Sequence, residues 1–236
     1  LSTAPAHSLL VTDGVFSMDG DIAPVAALAQ LAQRYQSMLM VDDAHGLACL
    51  GENGRGTIAL QGITASQVPL LIGTFGKAFG TSGAFVATSN DIADFLTQFA
   101  RPYIYTTAMS PALAGATLAS LKLVQSAEGE ELRQKLAENI AYFRSKASAL
   151  PIDLMDSHTP IQPLVLGESE SALGVGSDLR EYGIWCTAIR PPTVPKGSAR
   201  LRITLSATHR KSQIDHLLAG LEKALENQRL KKPGSE

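Results

Sequence analysis

Leu70-Leu-Ile-Gly-Thr-Phe-Gly-Lys-Ala-Phe-Gly80 sets a short apolar run against a glycine-rich turn that carries one lysine, Lys77. The run reads as a buried strand and the turn as the loop at its end. An amine on such a loop can be partly desolvated, which lowers its pKa and frees the lone pair for a covalent bond to a carbonyl. A plain surface lysine is the competing reading. Phosphate binding by a P-loop would need Gly at 71 and Ser or Thr at 78, whereas the chain has Leu71 and Ala78.

Working outward, apolar runs alternate with helical patterns through the first 110 residues. That pattern predicts βαβ units on a mostly parallel sheet, an α/β fold. Leu9 to Val11, Met38 to Val41 and Pro69 to Gly73 are the expected strands. Pro24 opens a crossover helix whose Val25, Leu28, Ala29, Ala32 and Tyr35 share one face. Gly83 to Thr88 follows Lys77 too closely for a crossover, so it is expected to pair antiparallel. Gln61 to Pro69 is expected to be a surface loop.

From Pro111 to Leu150 the pattern is helical, with a break expected near Gly129 and an apolar stripe at Leu132, Leu136, Ile140, Phe143 and Ala147. The last third reads as a smaller α+β domain with strands at Ile161 to Leu166, Ile184 to Ile189 and Leu201 to Leu205. A final helix is expected from Ser212, with Ser212 and Asp215 as a capping box and Ile214, Leu217, Leu218, Leu221 and Leu225 buried. The expected organisation is residues 1–110, part of a large domain; 111–150, linking helices; and 151–236, a small C-terminal domain.

The 236 residues are 45% hydrophobic and 18% charged with a net charge of −2, enough for a real core and without the basic stripe of a nucleic-acid binder. The one basic cluster, Arg229, Lys231 and Lys232, reads as a solvated end. Cys49 and Cys186 have no metal spacing and suit a reducing compartment, so the expectation is a cytoplasmic protein. No apolar run approaches the roughly 18 residues of a membrane span.

The strand Met38 to Val41 runs into Asp42-Asp-Ala-His45, two carboxylates and an imidazole at the sheet edge where ligands bind. Asp43 also reads as a capping residue, and no supporting ligand cluster favours a metal. Asp42, His45 and Lys77 together match pyridoxal phosphate (PLP): a carboxylate for the ring nitrogen, an imidazole for the ring hydroxyl and an amine for the aldehyde. Thr74, Thr106 and Thr107 are candidate hydroxyls for the phosphate.

The ordered segments GVFSMDGD (14–21), VDDAHG (41–46), TFGKAFG (74–80), YIYTTAMSP (103–111) and IRPPTVPKGSARLRITLSATH (189–209) resemble the α-oxoamine synthases, acyltransferases of PLP fold type I. The resemblance implies Lys77 as the lysine that holds the cofactor, Asp42 at the pyridine nitrogen, His45 on the ring hydroxyl, and Ser17 and Thr74 as further cofactor contacts. It implies a homodimer with a shared site, in which Thr106 and Thr107 reach the neighbouring subunit's phosphate group. Arg190 and Thr193 fall where substrate is handled, while Arg200 and Arg202 read equally well as strand-surface residues.

Within that family, IRPPTVP is most similar to the biotin-pathway members, which join L-alanine to a pimeloyl thioester carried by coenzyme A or a carrier protein. Relatives that make 5-aminolevulinate or 2-amino-3-ketobutyrate, other fold-type I enzymes and a non-catalytic module retaining the motifs stay open as alternatives. The family's glycine-containing phosphate turn and ring-stacking residue cannot be assigned in residues 1–16. The chain therefore resembles the C-terminal portion of such an enzyme.

Overall fold

The computed structural model describes residues 8–230, so Lys231 and Lys232 of the basic cluster lie outside it. Strands β1 (Leu9–Asp13), β2 (Met38–Asp42) and β3 (Leu70–Thr74) pair parallel, and β4 (Ala84–Ala87) pairs antiparallel with β3, in the order β1-β2-β3-β4. The crossover helix α1 (Val25–Arg34) buries Val25, Ala29 and Ala32 against Leu39 and Val41 of β2, with Ile58 and Val68 completing the cluster. Each fully buried branched side chain here contributes roughly 1.5–3 kcal/mol. Tyr35, expected on that face, caps the helix and stays 37% exposed.

The segment Gln61 to Pro69 is the surface loop expected from sequence, with Gly62 and Thr64–Gln67 exposed and a single 3-10 turn at Ala65–Gln67, and it is anchored at both ends. The Gln61 side chain accepts from the Ala26 N–H at 3.0 Å and donates to the Ala23 carbonyl at 2.8 Å, capping α1 where no N-cap side chain does. Val68 is 2% exposed. Apolar contact at Ile63 and Val68 thus pins an otherwise exposed loop to the core.

Helices α2 (Gly56–Leu60), α3 (Asn90–Phe99), α4 (Arg101–Ile104) and α5 (Pro111–Val124) complete this part of the chain. The last three contain no buried residue, and Phe95, Phe99, Tyr103 and Tyr105 lie open to solvent. Leu9, Val11 and Met38, on the sheet face opposite Leu10 and Leu39, are exposed as well.

The chain divides into two compact units, the first holding the described residues to Phe16 with Ile22–Glu131, the second holding Ser17–Asp21 and the described residues from Leu132. The division falls inside α6 (Ala127–Ala147), and Ser17–Asp21, placed by sequence in the first domain, groups with the second. The helical break comes at Gln125 and Ser126 rather than Gly129. The Ser126 hydroxyl accepts from the Gly129 N–H at 3.2 Å, and a Cβ at 129 would lie 2.3 Å from the Leu123 carbonyl, so Gly129 permits the tight entry into α6.

The second unit has a four-stranded antiparallel sheet, β5 (Asp153–Leu154), β6 (Ile161–Gly167), β7 (Thr187–Ile189) and β8 (Ala199–Thr204), in the order β5-β6-β8-β7. Helix α7 (Ser169–Glu181), which the sequence reading missed, buries Ala172, Val175, Gly176 and Leu179. Residues 184–186 are not strand: the Ile184 N–H goes to the Leu179 carbonyl at 2.9 Å and closes α7 instead. Helix α8 (Lys211–Leu230) buries Ile214, Leu217, Leu218, Leu221 and Ala224.

The expected Ser212/Asp215 capping box is absent. The Gln213 carboxamide reaches back to the Arg210 N–H at 3.0 Å, while Asp215 accepts from the Tyr142 hydroxyl at 2.7 Å. Among the described residues no helix is long and apolar enough to cross a membrane.

Candidate cofactor site

Parallel pairing brings Asp13 at the end of β1 into register with Asp42 at the end of β2, and the chain after β3 carries Lys77 past the same edge. Beyond β2 the backbone turns sharply: the Asp42 carboxylate accepts from the Ala44 N–H at 3.0 Å, and the Asp43 carbonyl accepts from Gly46 and Leu47 at 3.1 and 3.0 Å. This turn presents His45, whose Nε2 lies 2.9 Å from Lys77 Nζ. An ammonium has no acceptor, so one of the two nitrogens must accept this hydrogen bond.

Lys77 is exposed rather than partly desolvated as the sequence suggested. On either side of it, Phe79 is 8% exposed, and Phe75 packs edge-on against Phe79 at 5.7 Å and stacks on Phe85 at 5.1 Å. Lys77 itself reaches His45 at the sheet edge. Bonds from the Gly80 N–H to the Lys77 carbonyl and from the Thr81 N–H to the Phe75 carbonyl, 2.9 and 2.8 Å, hold the loop. The Thr74 hydroxyl donates to the Gly83 carbonyl at 3.1 Å and accepts from the Gly76 N–H at 3.2 Å, leaving a lone pair for a further donor.

Asp13 was not singled out from the sequence. Its pKa is raised by burial first and then by the nearby Asp42 carboxylate, with Lys77 opposing, so it belongs to the same electrostatic cluster. Its signal lay in register, because the last residues of parallel neighbours face one edge. Thr106 and Thr107 are exposed just beyond α4, and the Thr106 hydroxyl donates to the Pro102 carbonyl. A cavity of about 660 Å³ in the first unit is lined by Leu47, Phe75, Phe79, Phe85, Leu121 and Val124 among others, but not by Asp42, His45 or Lys77.

The remaining expected residues belong to the second unit. Arg190 and Thr193 are exposed ends of a turn around the cis Pro191–Pro192 bond, with the Thr193 N–H on the Arg190 carbonyl at 3.0 Å. Ser17 lends its carbonyl to Arg202 Nε at 2.7 Å, and Asp19 pairs with Arg200. Of the two arginines that also read as strand-surface residues, Arg200 is buried and Arg202 half-buried. Arg200 is 5% exposed, and burial lowers the pKa of the half-buried Arg202; both tie Ser17–Asp21 to β8.

The aminotransferase class I and II profile matches residues 1–221, and the chain belongs to that family. It is 64% identical over 225 residues to 8-amino-7-oxononanoate synthase of Marinomonas sp., covering 95% of this chain and 56% of that protein. The corresponding protein of Marinobacter nauticus is 53% identical over 224 residues, again with 95% and 56% covered. Among solved structures, 8-amino-7-oxononanoate synthase from Francisella tularensis superposes with a TM-score of 0.83 at 32% identity, covering 97% of this chain and 66% of that one. The chain thus spans little more than half the length of the curated relatives it matches.

The fold is that of fold-type I PLP enzymes. An amine, an imidazole and carboxylates along one sheet edge match the three groups PLP presents, an aldehyde, a phenolic hydroxyl and a pyridine nitrogen.

Proposed function

We propose that the whole protein condenses L-alanine with a pimeloyl thioester, releasing carbon dioxide and the thiol and giving 8-amino-7-oxononanoate for biotin synthesis. The observation that carries the site is the 2.9 Å approach of Lys77 Nζ to His45 Nε2 beside Asp42 at the carboxyl ends of β2 and β3. The 64% identity to a synthase of that name supports the substrate assignment.

In this reading Lys77 holds the cofactor aldehyde, Asp42 keeps a proton on the pyridine nitrogen, and His45 bonds the ring hydroxyl. When bound, PLP supplies an electron sink for the pair left at the amino acid's Cα. Lys77 Nζ would take the Cα proton of the amino acid, and His45 stands close enough to share or relay it. Ser17 and Thr74 supply further cofactor contacts, and Thr106 and Thr107 bind the phosphate across a homodimer. Arg190 offers a planar fork to a substrate carboxylate, with Thr193 beside it near the acyl chain. The donor is a coenzyme A or carrier-protein thioester, and the setting is the cytoplasm.

Adding PLP to the holoenzyme's apo form should produce a band near the visible edge that Lys77→Ala abolishes. Equal cofactor binding by wild type and variant would overturn the role of Lys77. Turnover of L-alanine with pimeloyl thioester, and not with acetyl or succinyl thioester, is the expected specificity; failure with pimeloyl thioester would overturn the substrate assignment.

A further inference from the structure

Asp43 follows the carboxylate assigned to the pyridine nitrogen, yet its side chain points the other way and is wholly buried. Its Oδ2 accepts from the Thr57 N–H at 2.7 Å, joining the β2 turn to the start of α2. Three glycines close around it. A Cβ at Gly14 would lie 2.4 Å from Asp43 Oδ1, one at Gly46 2.1 Å from the same oxygen, and one at Gly56 1.9 Å from Oδ2. Any of these is nearer than real Cβ contacts allow, so the carboxyl fills a space shaped by absent side chains. Its main chain is engaged too, with the Asp43 N–H on the Ile72 carbonyl at 2.9 Å and its own carbonyl taking Gly46 and Leu47.

We propose that Asp43 is a positioning residue: its carboxyl, locked between Gly14, Gly46, Gly56 and Thr57, fixes the turn that presents Asp42 and His45. The proposal rests on the reading of Asp42, His45 and Lys77 as the cofactor site. The lock acts by shape and by accepting the Thr57 N–H, not by charge. Asp43 Oδ1 and Thr57 Oγ1 are both buried without a hydrogen bond of good geometry, although the threonine side chain lies near enough to favour the ionised acid. A carboxamide keeps the shape and the acceptor: its oxygen takes the Thr57 N–H, and its NH2 stands where Oδ1 does now.

Wild type, Asp43→Asn, Asp43→Ala and Gly46→Ala are compared in the holoenzyme. PLP affinity and the pH profile of the Lys77-dependent band are read alongside the urea midpoint of each cofactor-free form. Asp43→Asn should bind PLP within about threefold of wild type. Asp43→Ala should bind at least tenfold more weakly with a displaced pH profile. Gly46→Ala, which keeps the carboxyl but drives it from its place, should match Asp43→Ala and carries the test if that variant does not fold.

If both alanine variants bind PLP like wild type, with the same pH profile and only a lower urea midpoint, Asp43 merely packs and the proposal is overturned. Loss of affinity in Asp43→Asn equal to that in Asp43→Ala overturns the shape argument. No Lys77-dependent band in wild type would instead overturn the cofactor reading, and the proposal with it.

Discussion

Asp43 is the residue at which burial and chemistry pull hardest against each other. Burial raises its pKa to about 6 from an ordinary 3.8, the Thr57 bonds oppose the shift, and the neighbouring Asp42 charge adds to it. At pH below about 4 both folded and unfolded chains hold the proton, and the group adds no pH dependence to stability. Between about 4 and 6 the unfolded chain releases it first, so stability falls as pH rises. A shift of some two units corresponds to about 3 kcal/mol, fully lost above pH 6. Asp43→Asn does not titrate. The urea-unfolding difference between the variant and wild type should therefore grow in the variant's favour from pH 4 to 7.5, and a difference flat in pH would contradict the raised pKa. Sequence marked the DDAH segment as chemically rich but could not assign opposite environments to adjacent aspartates. Alternation along β2 and the glycines at 14, 46 and 56 do that only in three dimensions.

At the scale of elements, periodicity located most helices and strands because one face of each must meet a core. Leu136, Ile140, Phe143 and Ala147 of α6 are all buried, as their spacing requires. Phe143 is 0% exposed, so Phe143→Ala should cost about 3–5 kcal/mol in the urea unfolding of this region. A loss under 1 kcal/mol would mean that the helix is not anchored there. Helix α7 escaped notice because its buried face mixes Val175 and Leu179 with the small Ala172 and Gly176 and the charged Asp178, which weakens the apolar contrast. Capping at α8 was misassigned for a related reason: Ser212 and Asp215 have the right chemistry, but Gln213 wins the Arg210 N–H and Tyr142 takes the aspartate.

Across the molecule, the first unit leaves Leu9, Val11, Met38, Phe95, Phe99 and Tyr103 exposed and has three helices without a buried residue, apolar side chains of the kind that pack into interfaces. The 236-residue chain by itself is expected to bind a hydrophobic dye and to self-associate in gel filtration; a dye-silent monomer would show that this surface is covered in solution. Local sequence alone determined the α/β class, the parallel strands with their antiparallel partner, and the Asp42, His45 and Lys77 cluster, because hydrophobic period and loop chemistry are written in neighbouring residues. Tertiary structure alone decided that Asp13 joins that cluster, that Ser17–Asp21 is tied by Arg200 and Arg202 to β8, and that Lys77 stays exposed between Phe75 and Phe79, whose rings pack together. Those outcomes depend on strand register and on which groups meet across distant stretches of chain, and no local pattern carries that information.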